Sequence, residues 1–150
     1  MPDILETTID KFIFKVATDR LYSRQGVWVL EEEGGSWVRL GISDYQQQLG
    51  GDMAFVHLKP VGTLLGPGDE FAEIETIKAT ASLPSPVAGT VVECNRDLAS
   101  APETVNQDPY GGGWFVVVET TNGDADRTKL LDADAYLAAI RKQAEEELSG

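Results

Sequence analysis

Short runs of apolar and β-branched residues recur through the middle of the chain between glycine- and proline-rich punctuation: GVWVL (26–30), SWVRL (36–40), MAFVHL (53–58), FAEIETI (71–77), GTVVEC (89–94) and WFVVVE (114–119). Runs of this length, bounded by turn residues, suit strands and are too short for the apolar stripe of a helix. The spacers carry turn chemistry. EEEGG (31–35) offers two glycines that tolerate positive φ, and GPGD (66–69) and DPYGGG (108–113) combine a proline that sets φ with glycines that permit reversal. Many short strands with regular turns predict a mainly β chain, a small barrel or sandwich. At 150 residues it is long enough to bury one core without disulfides. Helix is expected in two places. Ser43 or Asp44 can cap a short helix through YQQQL. Asp132 or Asp134 can cap AYLAAIRKQAEEEL, where Leu137, Ile140, Ala144 and Leu148 return on one face.

Charge and cysteine usage narrow the function. With 25 acidic against 12 basic side chains, the net charge of −13 makes nucleic acid an unsuitable partner and favours steering toward basic surfaces. Cys94 has no second cysteine to pair with, MPDILETTID lacks a basic start and a long apolar core, and no run approaches a membrane span. The expectation is a monomeric cytoplasmic protein without membrane contact. Cys94 and His57 sit in different strands and form no nucleophile–base motif. Asp124, Asp126 and Glu31 to Glu33 lack metal-loop spacing and read as solvated acidic loops, while Trp28, Trp37 and Trp114 read as packing residues.

One lysine is harder to dismiss. Lys78, in ETIKAT, lies between a β-run that enters (FAEIETI) and one that leaves (ATASL), which puts it at a hairpin tip with no catalytic partner nearby. A run of residues at definite spacing follows it. Glu75-Thr76-Ile77-Lys78-Ala79 leads without a gap to Ser85-Pro86-Val87-Ala88-Gly89, Val91 and Asn95, and then to Pro102, Asn106, Asp108-Pro109-Tyr110 and Gly113-Trp114. Upstream stand Gly41-Ile42-Ser43-Asp44-Tyr45 and Gly51-Asp52-Met53-Ala54-Phe55-Val56. From Tyr22 to Tyr136 this pattern resembles the H proteins of glycine cleavage systems and the wider group of lipoyl carriers.

The resemblance implies a barrel-sandwich hybrid of the lipoyl and biotinyl type, with short helices and a C-terminal helix. It also implies lipoate bound covalently to Lys78, with Glu75, Thr76 and Ala79 as recognition context for a lipoate-protein ligase or other lipoylating enzyme. Residues 1–21 would then be an N-terminal extension and 22–150 the lipoyl domain. Such a carrier has no active site of its own, because the chemistry belongs to the cofactor and the protein presents it to partner enzymes. A biotin carrier would be expected to have methionines around the lysine, where Ile77 and Ala79 stand here. An unmodified interaction module is the alternative of another class.

Departures from the H-protein pattern bear on the cargo. Gly26-Val27-Trp28-Val29 stands where H-E-W-V is usual, Ser82 where an aspartate is frequent, and Leu58-Lys59-Pro60-Val61-Gly62 where L-P-E-V-G is usual; Gln46 to Gly51 shifts the family's leucine by one place. These changes resemble the lipoate-binding proteins associated with the heterodisulfide-reductase-like system of sulfur oxidation. That likeness implies a sulfur-bearing arm and sulfur-oxidation partners. The alternative is the glycine-cleavage H protein, which carries an aminomethyl group in glycine decarboxylation.

Overall fold

The computed structural model describes residues 3–32 and 34–149, with side chains through Glu147. Among the described residues, eleven strands form three antiparallel sheets. A hairpin of β1 (Ile4–Ile9) and β2 (Phe12–Ala17) stands by itself. A six-stranded sheet runs in the order β3 (Leu21–Tyr22), β4 (Val27–Glu31), β5 (Trp37–Ile42), β11 (Val116–Thr120), β10 (Gly89–Cys94) and β7 (Leu64–Leu65). The third sheet is β6 (Met53–Leu58), β8 (Glu70–Thr76) and β9 (Thr80–Pro84). Helices α1 (Asp44–Gly50), α2 (Asp97–Ser100), α3 (Thr104–Gln107), α4 (Gly123–Arg127) and α5 (Ala133–Ser149) fill the connections and the C-terminus.

All six runs expected as strands are strands, β4, β5, β6, β8, β10 and β11. Period-two alternation sends one face of each sheet inward, so Val29, Leu40, Val91, Val116 and Val118 of the large sheet meet Ile74 and Leu83 of the small one in a single aliphatic cluster. Phe71 and Phe115 fill its centre with ring centroids 6.2 Å apart. Close backbone approach explains one motif glycine: a Cβ at Gly89 would stand 2.2 Å from the Glu119 carbonyl oxygen on the paired strand. Between β4 and β5, Gly34 and Gly35 take φ of 88° and 77°, as their place in the hairpin requires; Glu33 lies outside the described residues.

A second cluster lies outside the barrel and is aromatic. Phe14, Tyr22, Trp28, Tyr45 and Tyr136 pack with Ile9, Val16, Ile140 and Ala144, joining the N-terminal hairpin, α1 and α5 over one end of the large sheet. Ser43 caps α1 by accepting from the Gln46 N–H at 3.1 Å, while Asp132 caps α5 by accepting from the Ala135 N–H at 2.8 Å. The inward stripe of α5 includes Tyr136 in addition to Ile140 and Ala144; Leu137 is half-buried, and Leu148 lies outside the described side chains. The segment 4–17, expected only as an extension, is thus an ordered hairpin. Its turn, Asp10-Lys11, contains no glycine or proline, and Asp10 itself adopts φ 57°. No described helix is long and apolar enough to cross a membrane.

Candidate functional site

The β8–β9 connection is a two-residue turn with Ile77 and Lys78 at its apex. The Thr76 N–H donates to the Ala79 carbonyl at 2.9 Å, and the Thr76 hydroxyl also engages Ala79, accepting from its N–H and facing its carbonyl at 3.2 Å each. Thr76 and Ala79 therefore clamp the turn. Ile77 is 87% exposed and Lys78 is exposed beside it. Glu75 faces the opposite side of the sheet, where its carboxylate lies 3.1 Å from the His57 imidazole.

Much of the motif that follows the lysine holds the frame rather than meeting it. The Asn106 amide donates to the Gly51 carbonyl and the Gln47 side chain at 2.9 Å each and accepts from the Met53 N–H, fixing the exit of α1. The same exit abuts the turn, because a Cβ at Gly51 would stand 3.8 Å from Lys78 Cε. Asn95 donates to the Gly112 and Trp114 carbonyls, and Asp108 accepts from the Gly112 N–H. Trp28 is fully buried and donates to the Pro109 carbonyl, while Arg39 stacks on Trp114; Trp37 is half-exposed and bonds Glu119.

Lys78 also lines a groove of about 260 Å³ whose other walls come from distant parts of the chain: Phe12 and Phe14 of β2, Tyr45, Gln48 and Leu49 of α1, and Ala144 and Glu147 of α5. Apolar surface dominates. The Phe14 and Tyr45 rings meet edge to face at 5.0 Å. The Tyr45 hydroxyl is buried and, among the described residues, is the one buried side-chain polar atom without a hydrogen-bond partner. Burial first, and the Glu147 carboxylate second, push its pKa up, so it is a neutral hydroxyl. The groove suits an aliphatic chain ending in a ring of low polarity, as lipoate is, and so fits the group expected on Lys78. None of its members except Lys78 was singled out as a site residue in the sequence. They run from residue 12 to residue 147, and no single spacing rule joins them.

The remaining candidates resolve differently. Cys94 and His57 are not partners: the Cys94 thiol donates to the Lys59 carbonyl, and burial raises its pKa. Of the acidic residues read as solvated loops, Asp126 is buried and accepts from the Ala88 N–H at 2.9 Å, a correction that follows from its place in α4 against the start of β10. Asp124 and Glu31 pair with Arg127, and Glu32 with Arg39. His57, Glu73 and Glu75 present ligand atoms within 4.8 Å of one another on an exposed sheet face, a cluster that sequence spacing did not reveal.

Residues 20–143 match the family described as glycine cleavage H-protein. The glycine cleavage system H protein of Laribacter hongkongensis is 43% identical over 121 residues, 81% of this chain and 94% of that protein. That of Mycolicibacterium smegmatis is 41% identical over 128 residues, covering 84% and 97%. The crystal structure of a glycine cleavage system H protein from Mycobacterium marinum superposes with a TM-score of 0.74 at 31% identity, covering 82% of this chain and 97% of that one. Fold and lineage agree on a barrel-sandwich hybrid. With that agreement over most of its length, the chain belongs to the glycine cleavage H-protein family, whose members are lipoyl carriers with lipoate bound to a lysine and no catalytic activity of their own.

Proposed function

We propose that Lys78 carries the lipoyl group and that the loaded protein serves glycine cleavage in the cytoplasm as a monomer, taking an aminomethyl group between the enzymes of that system. The observation that carries this reading is the clamped two-residue turn, which holds Lys78 outward on a rigid sheet and beside an apolar groove. Lipoate, when bound, supplies the sulfur that holds the cargo. The protein's own residues do the positioning: Thr76 and Ala79 hold the pivot, the sheet presents it to a lipoylating enzyme, and Phe12, Phe14 and Leu49 offer an apolar surface beside it.

The second reading, a sulfur-bearing arm serving sulfur oxidation, draws on the missing carboxylates at positions 27 and 82. Val27 is fully buried in the aliphatic core. Ser82 faces Glu73 across β8–β9 on the exposed sheet face. Neither lines the groove beside Lys78, which has an acidic group of its own in Glu147. Lack of acidity at 27 and 82 therefore says little about charge where the arm would rest, and glycine cleavage is the better supported reading.

Co-expression with a lipoylating enzyme, followed by peptide mass spectrometry, should find the lipoyl mass on Lys78. Lys78→Arg should abolish carrier activity and leave cooperative unfolding unchanged. In reconstituted glycine cleavage at equal lipoylation, turnover close to that of an ordinary H protein is expected. A turnover lower by orders of magnitude, together with sulfur uptake on the reduced arm, would favour the sulfur reading instead.

A further inference from the structure

The three-stranded sheet turns one face to the core and the other to solvent. Alternation puts Val56 and Leu58 of β6 and Ala72 and Ile74 of β8 on the inner face, against the aliphatic cluster. Phe55 and His57, and Glu73 and Glu75, therefore stand on the outer one. Antiparallel register sets His57 directly across from Glu73 and diagonal to Glu75, whose own cross-strand partner is Phe55. Positions so related have Cβ atoms about 5 to 8 Å apart, within reach of long side chains. Here the side chains converge: His57 Nε2 lies 3.1 Å from Glu75 Oε1, and one ligand atom from each of His57, Glu73 and Glu75 falls within 4.8 Å of the other two. The Phe55 ring stacks on the imidazole, with centroids 6.1 Å apart and planes 18° from parallel, and steadies it.

Two carboxylates gathered this closely repel each other, and the chain around them carries a net charge of −13. Among the described residues neither is neutralised by a lysine or arginine. Glu75 has only the imidazole as an ion-pair partner, Glu73 has none, and Lys59, just past the end of β6, is taken by Glu70 at 3.2 Å. A cation would relieve the repulsion, and the donor set selects which. One imidazole nitrogen with two carboxylates suits zinc and its neighbours in the first transition row, whereas calcium and magnesium favour oxygen ligands throughout. Ligands about 2.0 to 2.2 Å from zinc stand roughly 3.5 Å apart in a tetrahedron, so the cluster would draw in by less than about 1.5 Å, a change of side-chain torsion and not of backbone. Three protein ligands leave a fourth position, on the solvent side, for water.

We propose that the outer face of β6 and β8 binds one divalent cation of the zinc class through His57, Glu73 and Glu75. The ion ties the two strands together beside the end of β8 that leads into the Lys78 turn. The site shares no residue with the groove beside Lys78, and it does not depend on whether Lys78 carries lipoate.

The test titrates zinc chloride into untagged full-length protein, with any lipoyl arm kept oxidised so that no arm thiol competes, and follows both the heat of binding and the imidazole resonances. Because His57 is the only histidine in the chain, those resonances have a single source. One equivalent of zinc should bind, and the His57 ring signals should shift and saturate with it. Magnesium chloride at the same concentration should leave them unmoved. His57→Ala and Glu73→Gln, both on the solvent face, should each weaken zinc binding by at least about tenfold, since even an outer-shell partner of a metal is worth that much. Cys94→Ser, which removes the chain's one thiol, should leave it unchanged. Excess zinc should raise the melting temperature of the parent protein and not that of His57→Ala, because an ion held only by the folded chain stabilises it by mass action. Zinc taken up with the ring signals unmoved, or with equal affinity by His57→Ala, would overturn the proposal and assign the uptake to the acidic surface at large. The absence of saturable binding would overturn it as well.

Discussion

The aliphatic barrel and the aromatic layer beside it are held by different physics. In the barrel, inward positions are valine, leucine, isoleucine and phenylalanine, and stability comes from burial and close packing along regular ladders. In the layer, half of the buried residues are tyrosine, tryptophan or phenylalanine, and each polar tip needs a partner. Tyr22 donates to the Ala17 carbonyl at 2.6 Å and stacks on Tyr136 with centroids 4.4 Å apart; Tyr136 shares a 2.6 Å hydrogen bond with Ser43. Tyr45 alone among them is left unpaired, at the groove. The barrel is thus built to be closed, while the layer opens at the groove beside Lys78.

The largest effect should come from the barrel. Phe71→Ala removes a fully buried ring from its centre and should cost about 3 to 5 kcal/mol in urea unfolding, lowering protection of the Lys78 turn together with the rest of the sheet. Loss of stability confined to β8 would break the picture of one cooperative core.

Alkaline titration should strike the other region first. Burial pushes the Tyr110 hydroxyl up to about 12, and Tyr22 and Tyr136 are raised for the same reason. A phenol whose folded pKa lies above its ordinary value of 10.0 contributes stability in full below that value. The contribution is lost as pH rises toward the folded value, because the unfolded chain ionises first. Melting temperature should therefore hold below pH 10 and fall steeply above it, with near-ultraviolet circular dichroism from the tyrosines lost first.

Two isosteric changes sharpen the contrast within the layer. Tyr22→Phe leaves the Ala17 carbonyl without its buried donor and should cost about 1 to 2 kcal/mol. Tyr45→Phe removes a hydroxyl that has no partner and should leave stability unchanged or raise it by up to about 1 kcal/mol. Equal losses in both variants would mean that Tyr45 has a partner in solution. The smallest effect belongs to the turn itself. Ile77→Ser, at an apex side chain 87% exposed, should change stability by less than about 0.5 kcal/mol while slowing lipoylation if the ligase reads that apolar tip.

How far each region could be read from sequence follows from the same division. Barrel strands announce themselves through alternation and through Gly34, Gly35 and Gly68, which take positive φ at their turns. Lys78 could be placed because its turn lies between two such strands. The hairpin 4–17 escaped because its reversal uses Asp10, which adopts a left-handed conformation without glycine to advertise it. The α5 stripe was legible from its period, but not that Tyr136 would stack on Tyr22. The groove escaped altogether. Its members are separate in the chain, and an unsatisfied hydroxyl such as that of Tyr45 is a property of packing, not of residue order.

The clamp of Thr76 on Ala79 sets a geometric limit on everything attached between them. A tether fixed at one end samples a volume governed by its own length alone. A tether on a floppy loop adds the loop's excursions and dilutes its tip accordingly. With the pivot held by a two-residue turn, the tip of a modified Lys78 stays on the order of millimolar within its own radius, whatever the bulk concentration of the protein. A partner that seats itself within that radius therefore meets a concentrated reagent, and insertion of glycines on either side of Lys78, which lengthens the turn that Thr76 and Ala79 close, would lower that concentration.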